Sequence, residues 1–446
     1  MAGLPFFRSV GKTYYVLAAS YVFYAWWYPP YLSVIVGLTL LAHAGAILAS
    51  RCPRTVPAII VTLFLPLVAF KYTAFAVENA AAVTGWTASA TGFDWALPLG
   101  ISFVTFTAVA YVLDVRGGRV MARSRIADTG LYIAFFPQLI AGPILRPSEL
   151  IPQLPRIAFR RSMVAYAALL FTLGAVKKVV VADGIGPHVD AIYTMAGPIS
   201  QPQALFALYG FTVQIYCDFS AYTDMALALA ALLGVRLPRN FNRPYLAASV
   251  REFWRCWHMT LSRWLRDYLY FSLGGNRQGT VRMLAAVMAT MLLGGLWHGA
   301  AWTFVLWGGA HGLYIIVENG WARMAQGRRF PLPTWARRLV VLHLVAVAWV
   351  LFRAPGLDQV VMVYSGILVP GGTGINTYAG FAAGALWPLL LMAAFFLLHQ
   401  FDTVARVRWV AAKLPAEVTV AGAFSVLAVC VALSVDNPNS FIYFDF

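Results

Sequence analysis

Apolar residues run along this chain in blocks close to the ~20 residues that cross a bilayer core, separated by short polar stretches where arginine recurs. The first block, residues 13–28, follows Arg8 and Lys12. Pro29-Pro30-Tyr31 comes next rather than a small-residue cleavage site, so the block reads as a retained helix. Residues 32–48 end at Arg51 and Arg54, and residues 57–77 lead into a loop, 78–95, without Lys or Arg. Residues 97–115 end at Arg116, Arg119, Arg123 and Arg125. A shorter apolar piece, 131–145, holds Pro137, Gly142 and Pro143 between two arginine-rich flanks, and reads as a re-entrant element. Residues 163–182 cross outward to a loop over 183–203 that again lacks Lys and Arg. Residues 204–233 return, interrupted at 217–224.

Seven arginines between Arg236 and Arg266 mark the next polar stretch. Two helices, 282–297 and 302–317, form a hairpin with its tip near His298-Gly299, and Arg323, Arg328, Arg329, Arg337 and Arg338 follow. Spans over 339–351, 386–401 and 418–433 complete the chain. Basic and non-basic loops alternate, which puts the N-terminus inside, the tail 436–446 outside and about eleven crossings between them, plus the re-entrant piece. The expected fold class is all-α: a polytopic membrane protein forming a single membrane-embedded unit over 1–446.

Composition supports that class. The 446 residues are 61% hydrophobic and only 11% charged, whereas a soluble domain carries roughly 25% charged residues. Disorder, collagen-like repeats and a disulfide-stapled secreted fold are excluded. The net charge of +16 would point a soluble chain toward nucleic acid. Here it falls on alternate loops, as orientation demands, and no nucleic-acid partner is expected. Cys52, Cys217, Cys256 and Cys430 have no ligand-like spacing, and no metal site is expected.

Ionisable groups at membrane depth are expensive and so become functional candidates. His43, Lys71, Asp114, Lys177, Lys178, Asp218, Asp224, His298, His311, Glu318, His343 and His399 all fall inside apolar stretches. Lys177 and Lys178 can snorkel or pair with an acid. Asp114 and Glu318 sit where a helix meets an interface.

His298 stands out by its setting, Gly294-Gly295-Leu296-Trp297-His298-Gly299-Ala300. Flanking glycines let backbone or substrate approach closely. Hairpin helices shorter than a full span would keep the tip below the outer surface. An imidazole there suits a general base; the bland use is a packed histidine bonded to a carbonyl. His258 borders an apolar stripe of Trp254, Trp257, Leu261 and Leu265, with Arg251, Arg255 and Arg266 beside it. This reads as one amphipathic helix anchored at the interface. GxSxG, Walker and HExxH motifs are absent, and His298 and His311, thirteen apart, fall at opposite ends of a hairpin helix.

Five blocks carry a resemblance. Asn240-Phe241-Asn242-Arg243-Pro244-Tyr245 with the following 251–267 stretch and Leu273-Gly274-Gly275-Asn276-Arg277 resembles the membrane-bound O-acyltransferase family, and within it the polysaccharide-acetylating branch typified by bacterial alginate O-acetyltransferases. Leu97-Pro98-Leu99-Gly100-Ile101-Ser102-Phe103, Phe136-Pro137-Gln138-Leu139-Ile140-Ala141-Gly142-Pro143, Asp218-Phe219-Ser220-Ala221-Tyr222-Thr223-Asp224 and Gly295-Leu296-Trp297-His298-Gly299-Ala300 agree, with a weaker match at Phe441-Ile442-Tyr443-Phe444. Relatives usually open with a further short apolar segment that is not seen here.

The resemblance implies core motifs over about 97–318 and a bacterial plasma (inner) membrane location. It implies no bound cofactor, but a cytoplasmic acyl thioester donor such as acetyl-CoA. It further implies a tunnel, membrane lipids around it, a periplasmic acetyltransferase partner and an exported polysaccharide as final acceptor. The family's catalytic histidine falls on His298 and its second functional histidine on His258. Arg251 and Arg255 are candidates for the donor's phosphates, interfacial anchoring being their other use. Asp218, Asp224 and Trp297 are candidates for orienting groups in the broken helix and tunnel. Two other readings stand beside this one. A proton-coupled transporter would use Asp218, Asp224 and His298, but predicts a pseudo-repeat that the sequence lacks. A non-catalytic scaffold of an export complex predicts that His298 is dispensable.

Overall fold

A computed structural model describes residues 9–85, 96–121, 125–325, 331–368, 378–435 and 441–442. Of the expected loop 78–95, residues 78–84 instead continue a helix, Thr73–Thr84, which runs on until Gly85 ends it in a left-handed turn. Residues 86–95 lie outside the described residues, as do 326–330, Arg8, Arg123 and all of the tail 436–446 except 441–442. Helices make up the regular structure, with no strand among the described residues, and the protein is an all-α, multi-pass membrane protein. The chain divides into two compact units, one within 1–167 and 225–238, the other within 168–224 and 239–446.

The first unit opens with α1 (Ser9–Ala25) and α2 (Leu32–Arg51). Pro29-Pro30 sets the entry turn of α2, and Cys52, extended because Pro53 follows it, ends the helix. Then α3 (Val56–Leu67) passes through a widened π turn, Val68–Tyr72, into α4 (Thr73–Thr84). The unit is centred on α5 (Ile101–Arg116), where nearly every side chain is buried. Asp114 in it pairs with Arg119 at 2.8 Å. The short helices α6 (Ile126–Ala134), α7 (Phe136–Leu139) and α8 (Pro147–Leu150) follow. The chain breaks at Phe135, inside the piece expected to be re-entrant, and Gln138 holds that break by donating to the Tyr132 carbonyl.

Beyond these, α9 (Val164–Ala175) widens into a π segment, Val176–Ala182, and continues as α10 (Asp183–Tyr193). Residues 183–203 were expected as a loop; their first half is this helix, because Ile185, Val189 and Ile192 give it an apolar face that is fully buried. A second correction concerns α11 (Gln201–Leu232), which runs 32 residues without the expected break at 217–224. Its acids are neutralised rather than looped out. Lys177 Nζ lies 2.8 Å from Asp224 and 2.7 Å from Asp402, and Lys178 Nζ lies 2.8 Å from both Asp183 and Asp218. The irregularity sits on the π segment that carries the lysines.

Next come α12 (Val250–Cys256), α13 (Met259–Trp264), α14 (Thr280–His298), α15 (Trp302–Met324), α16 (Thr334–Arg353), α17 (Leu357–Leu368), α18 (Tyr378–Gly384), α19 (Leu386–Leu398), α20 (Val404–Lys413) and α21 (Ala416–Val435). In the hairpin of α14 and α15 the two backbones approach closely. A Cβ on Gly295 would lie 2.2 Å from the Phe304 carbonyl oxygen, and one on Gly308 2.2 Å from that of Met291. Glycine at both positions lets the two backbones touch, which fixes the end of α14 where His298 stands. At 19 and 23 residues the hairpin helices are longer than expected, so short length is no argument for a sunken tip.

By length and apolarity six helices qualify as membrane spans among the described residues, or seven if the pair Tyr378–Gly384 and Leu386–Phe401, bent by 90°, is one span. The eleven crossings expected from the sequence include pieces such as α1 and α5, which have 17 and 16 residues.

Candidate functional site

The second unit holds both His298 and His258. His298 ends α14, is 4% exposed, and is walled by aromatic rings: Trp297 at 4.8 Å, Trp307 at 5.1 Å and Phe352 at 5.2 Å between centroids. His258 is fully buried, with the Phe219 ring edge-on at 4.7 Å. The Trp297 ring lies 6.4 Å from His258 as well, so one indole touches both imidazoles. Rings on this scale exclude water and hold a side chain to one orientation.

His258 does not sit on a continuous amphipathic helix. The chain breaks between α12 and α13, and His258 takes φ 38° and ψ 52°, a left-handed conformation that costs a non-glycine residue about 1–3 kcal/mol. Asn240 holds it there. Its backbone carbonyl accepts from Met259 N, while Asn242 N donates to Cys256 O, both at 2.9 Å. Its side-chain Oδ1 accepts from Thr260 N at 3.2 Å and Thr260 Oγ1 at 2.9 Å, and lies 3.1 Å from His258 Nδ1.

This set of contacts assigns the tautomer. A backbone N–H only donates, so the amide atom facing Thr260 N is oxygen. An amide oxygen only accepts, so Nδ1 of His258 carries the proton and Nε2 the lone pair. Burial pushes the pKa of this imidazole down to about 3, so it is neutral at physiological pH. Such a group presents a fixed lone pair and is a poor proton store.

The remaining expected residues fall into different roles. Trp297 lies between the histidines, as described. Asp218 and Asp224 do not line a break: Asp218 binds Lys178 and accepts from Ile442 N at 2.9 Å, and Asp224 binds Lys177. Arg251 places its Nε 2.6 Å from Glu318 Oε1, and the other oxygen of Glu318 accepts the backbone N–H groups of Val250 and Arg251 at the start of α12. Glu318 thus caps that helix from α15. Arg255 is exposed. His311 is not at a helix end. It lies within α15, fully buried, and shares Trp307 with His298, the ring separations being 5.0 and 5.1 Å. Among the described residues no cluster of three His, Cys, Asp or Glu side chains could hold a metal.

A cavity of about 450 Å³ opens at the α14–α15 turn, lined partly by residues that the sequence did not single out, such as Gln214 and Thr303. Gly299, Ala300 and Ala301, the direct continuation of the His298 helix, are part of its wall. Lys178, Asp218, Gln214, Thr303, Phe304 and Arg353 also line it. A glutamine or threonine inside an apolar run carries no pattern that would have marked either.

A sequence model of the membrane-bound O-acyltransferase family matches residues 119–363. Over 365 residues the chain is 37% identical to the "Probable alginate O-acetylase AlgI" of Azotobacter vinelandii, covering 78% of this chain and 71% of that protein. It is 36% identical over 406 residues to the protein of the same name from Pseudomonas aeruginosa, covering 86% and 76%. Its identity to the "Peptidoglycan O-acetyltransferase" of Helicobacter pylori is 33% over 399 residues, covering 81% and 74%.

Proposed function

The chain belongs to the membrane-bound O-acyltransferase family and is an acyltransferase, and from that premise we propose that it moves an acetyl group from a cytoplasmic thioester such as acetyl-CoA to a hydroxyl on the opposite face of the membrane. The product in view is an O-acetylated exported polysaccharide. Alginate is the first candidate, because two relatives 37% and 36% identical to this chain bear that name. A periplasmic acetyltransferase partner and the inner membrane as its location belong to the same reading.

One observation supports the chemistry above the others: two buried histidines share the Trp297 ring, one of them with its tautomer set by Asn240. In the proposed step His298 takes the proton of the acceptor hydroxyl as its oxygen attacks the thioester carbonyl. The carbon–sulfur bond breaks, the thiolate leaves on the donor side, and the proton returns to it as the thiol. Substrate ester and free thiol balance the equation without a further reactant. His258, neutral and fixed, orients or polarises the donor. The aromatic wall around His298 keeps water from competing for the acyl group.

The deciding experiment is thiol release from acetyl-CoA by the purified protein in liposomes, with the acceptor present, compared with His298→Ala. Loss of turnover in the variant is expected. Equal turnover in both proteins would remove His298 as the base.

A further inference from the structure

We propose that the cavity at the α14–α15 turn binds a primary ammonium group on an aliphatic stem, the head being carried by a lysine side chain or by a small free amine. This site takes no part in the proposed acyl transfer and adds a second class of ligand to the protein.

Charge points to a cation. The described lining carries three carboxylates, Asp183, Asp190 and Asp218, and two cations, Lys178 and Arg353. Every acid has a partner, yet Lys178 Nζ serves both Asp183 and Asp218 at 2.8 Å, while Arg353 holds Asp190. One negative charge is therefore surplus. The neighbouring cluster does not offset it, because Lys177 is shared in the same way by Asp224 and Asp402. The positive end of α15 at the wall is matched by the negative ends of α14 and α16, which close on the same wall, so helix dipoles do not remove the surplus. A buried surplus of this kind is costly until a counter-charge arrives.

Unspent acceptors mark where the cation sits. Gln214 and Thr303 line the cavity and are 7% and 3% exposed, yet Gln214 Oε1 and Thr303 Oγ1 make no hydrogen bond within the protein. A buried polar atom left unmatched destabilises the fold, and an N–H donor from a ligand relieves it. Gln214 stands four residues before Asp218 on α11, so the two side chains share one helix face. An ammonium brings three N–H donors and no acceptor, one donor for each of Gln214, Asp218 and Thr303. Among the described residues no three metal-ligating side chains converge, so a bare metal ion has no cage here.

Shape suits a slender ligand. Side-chain exposure falls from 47% at Asp190 and 21% at Arg353 to 1% at Asp218, so the cavity runs from an open rim to a closed floor. Its volume of about 450 Å³ lies within the range of roughly 300–1,000 Å³ typical of small-molecule sites. Ala300, Ala301 and Phe304 give the wall an apolar stretch for methylene groups. Long basic side chains use that arrangement, with the stem on apolar surface and the charged head on polar groups. The rim lies against α10 in the stretch 183–203, which contains no Lys or Arg to compete for the site.

The test is equilibrium binding to the full-length protein in detergent, followed by saturation-transfer NMR, and it needs no turnover. The probes are Nα-acetyl-lysine methylamide, the same compound acetylated at Nε, and n-butylamine. The charged lysine probe should bind saturably. Its Nε-acetylated form, which keeps the stem and loses the charge, should bind at least about tenfold more weakly. Binding of n-butylamine as tight as that of the charged lysine probe identifies a free amine as sufficient; tighter binding of the lysine probe identifies a side chain as the source. Gln214→Leu and Thr303→Val remove the two orphan atoms with little change of shape. Since neither atom is bonded, both variants should keep the wild-type melting temperature. Asp218→Asn removes the surplus charge while keeping an oxygen for the Ile442 N–H. Each of the three substitutions should weaken the charged probe about tenfold. Absence of binding by the charged probe, equal binding of its acetylated form, or equal binding by wild type and the Gln214→Leu and Thr303→Val variants would each overturn the proposal. The acyltransferase reading fails separately, through thiol release that ignores His298→Ala.

Discussion

Asn240 Oδ1 stands 3.1 Å from His258 Nδ1 while accepting both the N–H and the hydroxyl of Thr260, so a single amide oxygen sets the tautomer, ring orientation and backbone twist of His258. Asn240→Asp keeps the shape but places a carboxylate beside the imidazole. An opposite charge favours the protonated ring, so the pKa of His258 rises. Turnover of the variant should then fall as pH is lowered through the neutral range, where the wild type is flat with respect to this group. Coinciding pH–rate profiles would show that Asn240 is only a structural ligand.

His258 also couples stability to acid. Its pKa is about 3 in the folded protein, pushed down by burial, against about 6.5 in an unfolded chain. Between those values the unfolded state binds a proton that the native state refuses. The contribution is whole above about pH 6.5 and is lost progressively as pH falls toward 3. Melting temperatures in detergent should drop between pH 7 and pH 5, and His258→Gln should reduce that slope. A slope of the same size in the variant would assign the acid sensitivity to other groups.

The paired lysines make a third case. Removing Lys177 leaves Asp224 and Asp402 buried beside each other without their shared ammonium. Breaking a buried ion pair from one side costs about 3–5 kcal/mol, whereas replacing all members with neutral groups is often tolerated. Lys177→Met should therefore unfold at markedly lower temperature. The combination with Asp224→Asn and Asp402→Asn should recover most of the loss. If the triple variant is no better than the single, the lysine acts through packing alone.

These pairings explain what the sequence could and could not disclose. The apolar blocks and their arginine flanks located α2, α14 and α21 to within three residues and α16 to within five, because membrane thickness and the spacing of charges act locally along the chain. Lys177 and Lys178 could be marked as needing acids, but of their partners only Asp183 is near in sequence; Asp218, Asp224 and Asp402 lie from about forty to more than two hundred residues away. Without those partners, the acids at 218 and 224 read as a break in α11. At His258 the helical spacing of Trp254, Trp257, Leu261 and Leu265 persists through a residue whose positive φ is imposed by Asn240, a tertiary contact. The family motifs pointed to His258 and His298 because whole blocks matched. Gln214 and Thr303 left no trace, since an orphan buried atom is a property of the folded cavity.

The last prediction concerns the contact that places His298. A Cβ at Gly295 would lie 2.2 Å from the Phe304 carbonyl oxygen, closer than real Cβ atoms come, and the obstacle is backbone, which cannot swing away. Gly295→Ala must therefore push α14 from α15, moving His298 three residues on and the Phe304 wall together. Overpacking of this kind costs about 1–3 kcal/mol. A shift near 1 Å at a reacting group can cost about a hundredfold in rate. Gly320 lies further along α15 with nothing within 4 Å of its added Cβ. There alanine should stabilise the helix by up to about 1 kcal/mol through its better helix propensity and leave turnover intact. Melting temperature and thiol release measured on both variants separate the two effects. Equal behaviour of Gly295→Ala and Gly320→Ala would mean that the close approach of the hairpin helices is not what positions the histidine.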